Sequence, residues 1–149
     1  MGLLMFSGRS KPVTISGMKK QPDKTPIKTL RDAYKVSGFR VRAKIDSYEH
    51  EPPAFILTLD RRSKKTVCSG CGKTCRSLYD KRCRRVRDLS CGDREVYLDF
   101  QVRRVKCKAC GVKNEKLDFL SDNTKYTLRF ATQIGGLCRA MTIKDVARR

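Results

Sequence analysis

The sequence predicts an α+β protein, a small antiparallel β zinc-ribbon domain followed by an incomplete helix-turn-helix. Three observations carry this. Two Cys-x-x-Cys-Gly knuckles, Cys68-Ser-Gly-Cys71-Gly and Cys107-Lys-Ala-Cys110-Gly, flank a stretch with room for two or three strands. Val96, Leu98, Phe100 and Val102 alternate with Tyr97, Asp99, Gln101 and Arg103, the period of a strand with one buried face. Phe130, Ile134, Leu137 and Met141 then recur at the spacing of one helix face.

In chain order, residues 1–35 read as a basic, disordered tail. Ser7-Gly8-Arg9-Ser10-Lys11-Pro12 and Lys19-Lys20-Gln21-Pro22-Asp23-Lys24 hold too few apolar residues to offset ordering entropy. Residues 36–111 form the β-rich domain. Phe39, Val41, Ala43 and Ile45 mark a first strand, Glu49 to Pro53 a turn, and Ala54 to Leu59 a second strand, so that 39–59 is a hairpin. Between the knuckles, Arg82 to Leu89 is one strand, Ser90-Cys91-Gly92-Asp93 a turn, and the alternating segment from Val96 the next. That strand enters the second knuckle, so both knuckles can meet at one end of the sheet. Residues 112–123 read as a linker and 124–149 as two helices. The second helix starts at Thr142, with Asp145 completing a variant capping box. Helix, short turn, helix begins a helix-turn-helix, and Arg149 comes before any recognition helix.

Each knuckle aims two thiolates at one ion, and the glycine after the second cysteine frees the backbone for the turn. Cys68, Cys71, Cys107 and Cys110 together make a closed tetrahedral structural zinc site. Cys75, Cys83, Cys91 and Cys138 lack paired spacing and receive no role. Paired knuckles, with no basic segment and long apolar core at the N-terminus to direct secretion, favour a reducing compartment over a disulfide scaffold.

The 149 residues carry a formal net charge of +20, from 35 basic and 15 acidic side chains. Such a charge selects a polyanionic partner. No apolar run is long enough to span a membrane, which points to nucleic acid. From Arg61 to Lys108 sixteen Lys and Arg face five acids. The candidate phosphate contacts lie in three runs: Arg61, Arg62, Lys64 and Lys65; Arg82, Arg84, Arg85 and Arg87; Arg103, Arg104, Lys106 and Lys108. Phosphate contacts position a protein on DNA without reading its sequence.

Catalytic readings find little support. Asp99 sits on a strand that looks like a carrier of a metal-binding acid, yet alternation places it opposite the apolar face, as a solvated or ion-paired side chain. The one histidine, His50, lies in a Glu- and Pro-rich turn. No Ser-His-Asp or Cys-His set and no phosphate-cradling glycine loop is present.

Several phrases resemble transposases of the ISL-three family of bacterial insertion sequences. They are Cys68-Ser-Gly-Cys71-Gly, Arg84-Arg85-Val86-Arg87-Asp88-Leu89, Arg103-Arg104-Val105-Lys106-Cys107, Tyr126-Thr127-Leu128-Arg129-Phe130 and Thr142-Ile143-Lys144-Asp145-Val146-Ala147. The resemblance covers about residues 36–149. It implies an N-terminal zinc ribbon and helix-turn-helix ahead of an RNase H-like catalytic domain with three metal-binding acids. This chain departs from that pattern by ending inside the helix-turn-helix. The expectation is therefore a zinc-dependent, DNA-binding, non-catalytic N-terminal fragment of a transposase. Its partners would be DNA, as element ends in full-length relatives, and full-length transposase subunits. Its place would be the bacterial cytoplasm, at the nucleoid. A free-standing zinc-ribbon protein that binds RNA or serves transcription is the alternative, and a protein-interaction module the third reading.

Overall fold

The structure, a computed structural model, describes residues 29–49 and 51–148. His50 and most of the expected tail lie outside the described residues. The elements are α1 (Leu30–Ala33), β1 (Phe39–Tyr48), β2 (Ala54–Arg61), β3 (Thr66–Val67), β4 (Thr74–Cys75), β5 (Leu78–Cys91), β6 (Arg94–Cys107), β7 (Gly111–Asn114), α2 (Leu128–Ala140) and α3 (Ile143–Ala147).

The expected hairpin forms. β1 and β2 pair antiparallel, with Val41 opposite Leu59 and Ile45 opposite Leu57 around a bulge. β5 and β6 make a second, longer hairpin around Gly92, whose φ of +65° is the left-handed conformation this turn requires. The sheet runs β1-β2-β6-β5, with β7 added to the far end of β6.

One expectation is corrected here. The sheet is mixed, because β2 and β6 pair in parallel, with Leu57 beside Leu98. The reason lies at the knuckles. β2 leads toward the first knuckle and β6 enters the second. Since the two knuckles meet, the two strands must run in the same direction.

The main core lies on one face of this sheet. Val41, Leu57, Leu59, Val86, Val96, Leu98, Phe100 and Val102 form it, together with Phe39 and Tyr34. Phe39, Phe100 and Phe119 meet edge to face, with ring centroids 5.2–5.6 Å apart. Along β6 the buried positions then change phase. They run 96, 98, 100, 102 and then 105, 107. Past Arg103 the opposite face of the strand is covered, and Val105 packs with Cys68 and Cys107 in a second, smaller core.

Two stretches differ from expectation. Residues 29–35, expected in the tail, hold α1 and bury Tyr34, whose hydroxyl donates to the Leu89 carbonyl. Thr29 and Asp32 close a capping box at the start of α1. Residues 112–123, expected as a linker, continue the ribbon through β7. They then supply Leu117, Phe119 and Leu120 to the main core.

The helical segment begins as the sequence predicts. Thr127 accepts from the Phe130 N–H at the start of α2, and Thr142 accepts from the Asp145 N–H at the start of α3. On α2 the stripe Phe130, Ile134, Leu137 and Met141 is only half-buried. Val146 is the buried residue of α3.

Candidate metal centre and basic surface

Both knuckles are tips of hairpins. The first lies between β3 and β4, with Thr66 opposite Cys75. The second joins β6 to β7, with Cys107 opposite Gly111. Inside the first, the Gly72 N–H donates to the Cys68 carbonyl and the Cys68 N–H to the Lys73 carbonyl, at 3.0 and 2.9 Å. Gly72 and Gly111 both have φ near +70°, so each Cys-x-x-Cys-Gly ends on the backbone turn that glycine adopts without strain. The two hairpins are sewn together by backbone bonds, Ser69 N–H to Asn114 and Lys116 N–H to Val67.

The four predicted cysteines come together. The sulfurs of Cys68, Cys71, Cys107 and Cys110 all lie within 4.8 Å of one another, and the Cys71–Cys107 pair is 3.5 Å apart. Tetrahedral zinc with sulfurs at about 2.3 Å would need separations of about 3.8 Å, so small shifts that open the closest pair and draw in the wider ones complete the shell. Gly70 fits the same conclusion. A methyl group there would approach the Cys110 sulfur to 3.2 Å, so the facing knuckle leaves no room for a side chain.

Electrostatics favour a thiolate at Cys107. The backbone N–H groups of Ala109 and Cys110 point at Cys107 and lower its pKa to about 6. Cys110 is pushed up to about 12, first by its hydrogen bond with Cys71. A bare cluster thus shares protons among its sulfurs, and a divalent cation would displace them. These residues fit a structural zinc ion. Cys68 and Cys107 are buried, while Cys71 is exposed. Cys75 packs at the edge of the cluster and is held as a thiol, chiefly by burial.

The basic residues are sorted by strand alternation. On β5, Lys81, Cys83, Arg85 and Arg87 lie opposite Arg103, Gln101, Asp99 and Tyr97 on one face. Arg82 and Arg84 lie opposite Val102 and Phe100 on the other. Several of the predicted contacts are engaged within the protein. Arg61 pairs with the buried Glu115 and stacks over Phe39. Arg87 pairs with Glu95 at 2.7 Å and is mostly buried. Arg104 pairs with Asp80 and lies over Tyr79. Arg85 grips Asp99 with two bonds of 2.8 Å, so that acid is ion-paired. Arg103 donates to the Lys64 carbonyl at 3.1 Å, joining the first basic run to the third. Arg62, Lys64, Lys65, Lys106 and Lys108 are exposed and, among the described residues, carry no ion pair.

Two buried acids that the sequence reading passed over organise this surface. Glu115 also accepts from the Arg103 N–H at 2.8 Å and so stands at the crossover between the two cores. Asp88 is fully buried and accepts from Thr127 and Arg129. Arg129 also donates to the Ala33 carbonyl at 2.6 Å and lies over the Tyr34 ring. Asp88 thereby ties α1 and α2 to the sheet. The available signal was Asp88 standing at a core-phase position of its strand, where a lone acid requires a partner.

No helix of the described residues is long and apolar enough to cross a membrane. No curated protein and no solved structure matches the chain. A family model does match, the zinc-finger of transposase IS204/IS1001/IS1096/IS1165, over residues 64–110. That span begins at Lys64 and ends on the fourth cysteine of the cluster. Residues 64–110 are thus similar to the zinc ribbon of ISL-three-type transposases, with Cys68, Cys71, Cys107 and Cys110 close enough together to hold a zinc ion.

Proposed function

We propose that this chain is a zinc-held DNA-binding module of a transposase, one that positions protein on DNA and does not itself cut or join strands. The observation that carries the reading is the transposase-type ribbon at 64–110, bordered by exposed cations that form no ion pair among the described residues. With zinc bound, the ribbon fixes the Lys64–Lys65 segment and the Lys106–Lys108 segment against one another. These then act as a rigid pair of phosphate contacts. The cytoplasm of a bacterium, element-end DNA and full-length transposase subunits are the setting and partners this reading implies. α2 and α3 would open a helix-turn-helix.

Phosphate contacts make binding steeply salt-dependent, with each adding about 0.9 to the slope of log affinity against log salt. Fluorescence anisotropy with zinc-loaded protein and a short duplex tests this. Micromolar or tighter binding that weakens along such a slope is the expected result. No binding to any duplex at about 50 mM salt would overturn the reading. Magnesium- or manganese-dependent nicking of the same duplex would overturn its non-catalytic half.

A further inference from the structure

An open groove of about 690 Å³ lies along the sheet, lined by polar residues of the face opposite the main core and, where β2 and β6 part, by Phe39, Leu59 and Phe100 of that core. One wall is Arg42 bound to Asp60 by two bonds of 2.9 Å. The other is Arg85 bound to Asp99 in the same bidentate manner. Gln101 and Arg103 also line it, and Arg103 donates to the Lys64 carbonyl beside the ribbon. Lys81 stands directly opposite Arg103 in the sheet register. The groove exists because β2 and β6 stay paired only from Ala54 to Thr58, after which they diverge toward the ribbon.

We infer that this groove is where duplex DNA lies, with a phosphodiester strand running from the Lys64–Lys65 segment past Arg103 and Lys81 to Arg85. The inference rests on the DNA-binding reading above and names the surface that serves it. Charge complementarity carries it. Arg103 and Arg61 both line this end of the groove; Glu115 pairs with Arg61, while among the described residues Arg103 forms no ion pair, so its guanidinium charge is available to a phosphate. Arg85 is about half exposed although paired, leaving part of its guanidinium open to the groove. The opposite sheet face offers less. There Asp80 lies between Arg82 and Arg104, and the main core covers the rest.

The acids give the surface its distinctive signature. Asp60 and Asp99 lie within the groove, inside one Debye length of a bound strand, so they oppose DNA while they hold their arginines. Neutralising them as Asp60→Asn with Asp99→Asn should tighten binding several-fold. Lys81→Ala with Arg85→Ala should weaken it by about tenfold at 0.1 M salt and reduce the salt slope by about 1 to 2. Arg82→Ala, on the other face, should weaken it less. Zinc content and melting temperature, measured in parallel, show that each variant folds. Unchanged affinity in the Asp60/Asp99 variant, or a larger loss from Arg82→Ala than from Lys81/Arg85, would overturn the groove while leaving DNA binding intact. Affinity confined to single-stranded RNA would overturn it as well. Failure of the unsubstituted protein to bind any duplex would instead remove the reading on which the groove rests.

Discussion

Asp88 decides more of this structure than its place in a run of arginines suggests. Its carboxylate is fully buried, and Thr127 and Arg129 satisfy it. A buried charge is costly unless paired and hydrogen-bonded, and removing one partner leaves the other uncompensated. Arg129→Met should therefore destabilise the protein by about 3–5 kcal/mol. Asp88→Asn should cost less, because the amide still accepts from Thr127. Urea melts of the zinc-loaded proteins would check the order. Asp80 acts at the surface and through pH. Its hydrogen bond to Arg104 holds its carboxyl pKa below the ordinary aspartate value. A depressed carboxylate contributes stability above its unfolded pKa and loses it as pH falls through the folded value. Asp80→Asn should thus be less stable than the parent at pH 7. The difference should close below about pH 4, as seen in paired urea melts across the acid range.

At the scale of elements, α2 carries two glycines where a helix prefers alanine. Gly135 and Gly136 have nothing within 4 Å of the place a methyl group would occupy. Paired glycines allow another helix to approach closely, and among the described residues no atom occupies that space. Gly135→Ala and Gly136→Ala should each stabilise the helix by about 0.5–1 kcal/mol, detectable as a rise in melting temperature. A fall would mean that a partner seats against this face. The parallel pairing of β2 with β6 belongs to this scale as well. The hairpins follow from local turns, whereas the β2–β6 pairing follows from two distant strands reaching the same metal-linked end.

Across the whole molecule, the described residues form two cores joined along β6. The larger packs aromatic and branched side chains against the sheet, and the smaller is Val105 among cysteines. The second has little apolar area of its own, so metal binding has to supply its folding energy, on the order of 10 kcal/mol in such sites. Chelation should release amide protection in β3, β4 and β7, while β5 and β6 around Val86 and Leu98 keep theirs in hydrogen exchange. Cys68→Ser or Cys110→Ser should mimic chelation and abolish the single bound zinc in native mass spectrometry. Cys91→Ser, half-buried beside the larger core, should leave the zinc in place. Simultaneous loss of protection throughout β1 to β7 would show that the two cores fold as one.

The sequence by itself determined what short-range chemistry controls. The four ligands were legible because two thiolates at i and i+3 with a following glycine form a knuckle in almost any context. The strands at 39–59 and 96–102 and the start of α2 were legible because burial on one face imposes a period. The ends of those patterns were not. The alternation on β6 changes phase past Arg103, and only the ribbon folding onto the other face explains why. Arg61, Arg87 and Arg104 stand in basic runs that look alike in sequence. The ion pairs they make with Glu115, Glu95 and Asp80 came only with the fold, since those acids lie close in space and far away or unremarkable along the chain. The same holds for Tyr34 and Phe119, which the sequence placed in a tail and a linker. Each is a lone aromatic in a polar stretch, without periodicity to signal burial, and each is ordered by a core assembled from strands elsewhere in the chain.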